Sequence, residues 1–163
     1  MFDIADQTAT PFFTSSALRF ATEFKNLRDV NQIASIGPGG VETYVIHQLE
    51  PIMMLLQTKP KRVIHEGSPQ MAAFQLLFSD NRMATIHCFA DGAPFMMQVV
   101  TSAENKTIEV KSDFFNNFIQ ELVAFMRTGE PPVQAQDSIS IMHTRAALLR
   151  AMESPGIWIE LSY

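Results

Sequence analysis

Three side chains able to trade protons recur at intervals of three in one short stretch. They are Tyr44, His47 and Glu50, within "GPGGVETYVIHQLEP" at residues 37–51. On a helix this spacing sets a phenol one turn before an imidazole and a carboxylate one turn after it, along one stripe. Histidine titrates closest to neutrality, so such a stripe can move protons near pH 7. The same residues also allow a purely structural role, with Tyr44 in the core and His47 closing a space beside Pro51. The two alternatives differ in exposure. A histidine placed for chemistry stays reachable by solvent and lines a hollow with Tyr44 or Glu50 in reach. A core histidine is sealed among Leu49, Ile52 and Met53.

Other chemistries find less support. "GPGGVE" is neither G-x-G-x-x-G nor a P-loop, and Glu42 in the first turn of the following helix would repel a phosphate. The simpler reading is a tight turn feeding a helix. His47, His65, His87 and His143 fall on four separate elements, and none has a second ligand in an H-x-x-H or H-E-x-x-H pattern. His47 and Glu50 share a face and could ligate a metal in principle, but no metal site is expected. No G-x-S-x-G elbow is present. Ser15 and Ser16 read as helix caps, and Cys88, inside an apolar strand, as a small core residue.

Composition narrows the class. The chain has 163 residues, 47% apolar and only 18% charged, with a net charge of −5. That is one domain with enough apolar material for a core, and it is not a disordered chain. The densest basic run, Lys59–Arg62, is too short for a nucleic-acid footprint. No apolar stretch approaches the ~20 residues of a membrane span. A single cysteine and an N-terminus without a basic, apolar leader point to the reducing cytoplasm.

The positioning elements follow from periodicity. Residues 1–7 read as the tail of a helix and "TPFFT" as a short strand. "SALRFATEFKNLRD" reads as a helix with Leu18, Phe20 or Ala21, Phe24 and Leu27 on its apolar face. Residues 30–36 alternate as a strand. The helix carrying His47 runs over about 41–57, kinked at Pro51. Five strands follow at 61–66, 70–78, 82–90, 95–102 and 106–111, with turns at "SDN" and a hairpin at "DGAP". Asp113 caps a helix at 114–128 that Gly129 stops, with Phe115, Phe118, Ile119, Leu122, Phe125 and Met126 turned inward. Asp137 caps another to about 153, with Ile139, Met142, Ala146, Leu149 and Met152 inward. "IWIELSY" is a last strand. The class is α+β, a mostly antiparallel open sheet with helices on one face. Strands near 70–100 are apolar in both phases, so the other face should be covered too, most simply by a second subunit.

"TPFFTSSALRFA", "GGVETYVIHQLEPIMMLL", "FFNNFIQELVAFMRTGEPPV" and "SISIMHTRAALLRAMESPGIWIEL" resemble, in that order, the C-terminal half of the Gfo/Idh/MocA family, the glucose-fructose oxidoreductases and inositol dehydrogenases. The resemblance spans nearly the whole chain. It implies an α+β domain that builds the substrate pocket and the oligomer interface of an NAD(P)-dependent oxidoreductase. Residues 1–14 would be the end of a Rossmann domain, and residues 15–163 the C-terminal domain. The family's cofactor half, with G-x-G-x-x-G and E-K-P, has no counterpart here, so no cofactor-binding residue is assigned and the chain alone is expected to be inactive. NAD or NADP serves the full-length relatives. By resemblance His47 and Tyr44 are catalytic, Glu50 and Arg19 contact substrate, and Arg19 sits near the domain junction. The family's usual aspartate, four residues before the histidine, is Thr43 here. An aromatic-rich branch with "W-Y-x-I-H-x-x-E" matches Tyr44, His47 and Glu50. The implied ligand is a sugar- or polyol-like small molecule and the implied state a homo-oligomer. The alternative is a stand-alone dimeric binding protein that uses the same pocket without catalysis.

Overall fold

The computed structural model describes all residues from Met1 to Tyr163. Its frame is a seven-stranded open sheet. The strands are β1 (Val30–Pro38), β2 (Pro60–Gly67), β3 (Met71–Phe78), β4 (Met83–Phe89), β5 (Met96–Thr101), β6 (Asn105–Glu109) and β7 (Ile159–Glu160), in the spatial order β6-β5-β1-β4-β3-β2-β7. Every neighbouring pair is antiparallel except β1 and β4, which run parallel. Four helices accompany the sheet: α1 (Phe2–Gln7), α2 (Val41–Leu56), α3 (Phe114–Thr128) and α4 (Ala135–Glu153). The α+β class read from the sequence holds. No helix is long and apolar enough to cross a membrane.

Burial shows which face the helices cover. Along β3, Ala72, Phe74, Leu76 and Phe78 are buried while Ala73, Gln75 and Leu77 are half-buried. The register carries the buried set across the sheet through Ala84 and Ile86 on β4, Ile33 and Ser35 on β1, and Met97 and Val99 on β5. α2 lies on β1 and β4, and α4 on β2. The opposite face carries Ile36, Leu77, Met83 and Met96 among glutamines and threonines. No element of the chain covers it with the apolar density of the first face.

Several expectations are corrected. "TPFFT" is not a strand: residues 10–16 have no regular structure. The helix expected from Ser15 is two 3-10 turns, Ala17–Phe20 and Thr22–Phe24, separated by Ala21 in an extended conformation. The buried residues there are Leu18, Ala21, Phe24 and Leu27, one every third residue. That is the repeat of a 3-10 helix, whereas an α-helical face drifts to a mixture of three and four. "DGAP" does not close a hairpin. β1 lies between β4 and β5, so residues 90–95 cross the end of β1. The turn at 79–81 does join the antiparallel neighbours β3 and β4, with Asn81 at φ 67°.

α2 runs unbroken through Pro51. Arg82 of the β3–β4 turn anchors its far end by donating to the carbonyl of Leu56, and also donates to the carbonyl of Val30 at 2.5 Å. A cation at a helix C-terminus is favourable, and this one ties α2 to the sheet. α3 has its expected caps: Asp113 accepts from the Asn116 amide at 3.0 Å, and Gly129 takes φ 73°. Its expected inward face holds only in part: Phe118, Leu122 and Phe125 are half-buried, but no residue of α3 is fully buried, and Phe115 is 61% exposed and Met126 77%. Only one flank touches the chain, where Phe118 meets Phe20 and Phe125 meets Phe13.

α4 is turned by about one residue from the expected face. Ser138, Ile141, Thr144, Leu148 and Ala151 are buried, whereas Met142 is exposed. Two of the buried hydroxyls are satisfied within the helix, Ser140 donating to the Gln136 carbonyl at 2.7 Å and Thr144 to the Ser140 carbonyl at 2.8 Å, while Ser138 donates to the Thr14 carbonyl at 2.9 Å. Small residues with satisfied hydroxyls let α4 lie close to its neighbours. Gln134, not Asp137, stands at its N-cap.

Candidate active site

α2 starts where it does because two glycines admit two of its side chains. A Cβ at Gly37 would lie 2.6 Å from Nε2 of Gln48, and one at Gly39, φ 80°, would lie 2.4 Å from the ring of Tyr44. Gln48 is fully buried, accepting from the Ser35 hydroxyl at 2.6 Å and donating to the His87 carbonyl at 3.1 Å. These bonds pin α2 to β1 and β4 and thereby fix the rotation of the helix. Gln48 is not singled out by any motif. Its signal, in hindsight, is a polar residue one position past His47 on the helix face that carries Val41, Val45 and Ile52.

The same packing answers whether the glycine cluster could cradle a dinucleotide. Both glycines are filled by side chains of the following helix, and Glu42 occupies its first turn. The residues do not fit a pyrophosphate, which needs bare backbone amides and no carboxylate beside them.

His47 is half-buried, with the ring of Tyr44 edge-on at 5.2 Å and that of Phe95 at 6.2 Å. Tyr44 is 43% exposed. The hydroxyl of Ser16 lies 2.7 Å from Nδ1 of His47. Glu50 is 2% exposed, and its bonds go to Ser16 and Arg19, not to His47. Its Oε1 accepts from the backbone amide of Ser16 at 3.1 Å, and its Oε2 accepts from Nη1 of Arg19 at 3.0 Å. Nη2 of Arg19 donates to Asp137 at 3.2 Å. A single network thus runs Asp137–Arg19–Glu50–Ser16–His47. Ser16, read only as a cap, does cap the 3-10 turn by accepting from the Leu18 amide at 3.2 Å. It is also the link that joins the predicted residues. Asp137, read as a cap of α4, is instead the outer partner of Arg19.

Burial governs the charges. It pushes the Glu50 carboxyl up from its ordinary value, although the Arg19 guanidinium and the Ser16 amide pull the other way. It also pushes His47 down, so the ring favours its neutral form. No carboxylate is ion-paired with His47.

The hollows lie to one side of this network. The largest cavity, about 580 Å³, sits between the 3-10 turns, the end of α2 and α3, over Phe24, Leu27 and Leu56. A second, about 380 Å³, is lined by Gln57, Lys59 and Asp137. Arg19 reaches both; His47, Tyr44 and Glu50 line neither, nor a third of about 410 Å³ beside α4. The expectation that His47 lines a hollow is therefore unmet at the three main cavities, while its half-exposure and its reach to Tyr44 are as expected.

No family model matches the sequence, and no curated protein gives a significant match. Solved structures do match in three dimensions. A Sinorhizobium meliloti protein provisionally designated a myo-inositol dehydrogenase superposes with a TM-score of 0.84 at 12% identity, over 99% of this chain and 68% of its own. A scyllo-inositol dehydrogenase from Lactobacillus casei, solved with NAD(H) and scyllo-inositol, gives 0.77 at 14% identity, over 97% and 67%. Myo-inositol 2-dehydrogenase from Lactobacillus plantarum gives 0.73 at 14% identity, over 99% and 70%. At such identities the likeness is one of fold, and at that level it bears out the resemblance drawn from the sequence motifs.

Proposed function

We propose that this chain is the substrate-binding and oligomerisation part of an NAD(P)-dependent oxidoreductase acting on a sugar- or polyol-like molecule. His47 is the group that holds or releases a proton at the reacting oxygen, and Tyr44 flanks it. Glu50 and Arg19 shape the substrate side through their shared ion pair. The nicotinamide takes or gives hydride when a cofactor domain brings it. The glycine cluster at 37–40 does not fit the dinucleotide, so no cofactor-binding role is given to it. It works in the cytoplasm.

One observation carries the reading. The buried Glu50 and the half-exposed His47 are tied through Ser16 on a fold shared with inositol dehydrogenases. A buried carboxylate is costly unless it is paired, and this pair sits one turn from a solvent-reachable imidazole. The experiment is His47→Ala. Stability should stay within roughly 0.5 kcal/mol of wild type, because the ring is half-exposed, while any calorimetric response to cyclic polyols disappears. A loss of about 1–3 kcal/mol would mark a packed, structural histidine instead.

The oligomer forms through the sheet face opposite α2 and α4, where Ile36, Leu77, Met83 and Met96 lie half-buried. Such an interface buries more than ~1,200 Å² in total. Light scattering at micromolar concentration should give at least twice the 18.3 kDa chain mass; a monomer overturns this part. A second reading, a dimeric binding protein without catalysis, is favoured by one observation: Arg19 reaches two of the three cavities, including the one of about 580 Å³, and His47 reaches none.

A further inference from the structure

We propose that Ser16 is the positioning residue for His47, its hydroxyl holding the neutral ring with Nδ1 as acceptor and the proton on Nε2. This inference rests on the reading of His47 as the proton-handling group, but its test does not.

The argument is one of counting hydrogens. A serine hydroxyl has one hydrogen to give and two lone pairs to receive with. One lone pair of Ser16 Oγ takes the Leu18 amide at 3.2 Å. The hydrogen then needs an acceptor. Nδ1 of His47, at 2.7 Å, is the one acceptor that bonds this hydroxyl. Glu50 takes the Ser16 amide on one oxygen and Arg19 on the other, and no hydrogen bond joins it to the Ser16 hydroxyl. Around the ring, α2 contributes Tyr44 and the segment before β5 contributes Phe95, neither of which competes for Nδ1. Arg19 faces Glu50 and Asp137, not His47.

The usual partner of a working histidine is a carboxylate, which fixes a hydrogen on the near nitrogen and favours the charged ring. A hydroxyl does the opposite here. It donates to Nδ1 of the neutral ring, and it would have to turn over and accept if Nδ1 carried the hydrogen. The Leu18 bond and the Glu50 bond to the Ser16 amide hold the serine in place for this. Nε2 is left as a hydrogen donor, so the resting ring is set to meet an acceptor oxygen. Within the proposed function that means the carbonyl form of the substrate.

The test is long-range ¹H–¹⁵N NMR of the histidines in the full chain at pH 7.5, with His47 assigned by its loss in His47→Gln. The expected result is an unprotonated Nδ1 and a protonated Nε2. Ser16→Ala should shift the tautomer ratio by about fivefold or more toward the Nδ1-protonated form, the size of effect of one hydrogen bond, and Ser16→Thr should restore it. A wild-type ring protonated at Nδ1 overturns the proposal, whether or not the variants fold. So does a tautomer ratio unchanged in a folded Ser16→Ala. Failure of polyol binding would sink the functional reading and leave this result standing.

Discussion

Gly37 on β1 and Gln48 on α2 are mutually required. The glycine leaves no room for a methyl group because the Gln48 amide, 2.6 Å from where a Cβ would be, fills the space. In return Gln48 satisfies Ser35 and the His87 carbonyl inside the sheet–helix seam. This contact sets the rotation of α2, and so decides which way Tyr44 and His47 point.

Gly37→Ala should therefore cost about 1–3 kcal/mol, the usual penalty for overpacking a filled site. Urea unfolding measures it. A cost below about 0.5 kcal/mol would mean that Gln48 is free to move.

Arg19 is the only cation bonded to the buried Glu50. Arg19→Ala leaves that carboxylate buried without compensation and should cost about 3 kcal/mol. Adding Glu50→Gln should recover part of the loss, since the two sites are directly coupled. Additive losses in the double-mutant cycle would contradict the pairing.

Acid should weaken the fold in two windows. His65 on β2 is 3% exposed and neither ring nitrogen has a partner. Burial pushes its pKa below the ordinary 6.5, against a smaller upward pull from Glu66. The unfolded chain therefore binds the proton more readily, and stability is lost as pH falls below about 6.5. His47, also pushed down by burial, adds to the same window, so His65→Leu should reduce the slope there and His65→Leu with His47→Ala should reduce it further. Glu23 gives the second window. Burial raises its pKa, but the Ser112 hydroxyl and the Lys111 and Ser112 amides outweigh this and hold it at about 2. Its contribution is present above the ordinary value of 4.5 and is lost as pH falls from there toward 2. Glu23→Gln should shrink the lower window, to which Asp80 beside Arg82 also contributes, and leave the upper one.

Strand positions, the α2 and α3 boundaries and the caps at Asp113 and Gly129 were legible because they depend on local periodicity and turn chemistry. Spatial order was not. The insertion of β1 between β4 and β5 is a long-range pairing that leaves "DGAP" looking like a hairpin. The faces of α3 and α4 were misjudged because side-chain apolarity was taken as burial. α4 buries alanines together with serines and a threonine whose hydroxyls find backbone carbonyls, while α3 leaves Phe115 and Met126 to solvent. At the site, His47, Glu50 and Arg19 do belong to one network. Their link through Ser16 was hidden, because a cap serine and a histidine partner look alike in a sequence 31 residues apart.

The central claim is that the His47 site binds a polyol and that the glycine cluster at the start of α2 is not a dinucleotide cradle. Saturation-transfer NMR on the purified chain, with scyllo-inositol and NADH in one tube, tests it most directly. The expected result is transfer to the polyol protons, lost in His47→Ala, and none to the adenine or nicotinamide protons. Transfer to NADH with a dissociation constant in the micromolar range, and none to the polyol, would contradict it.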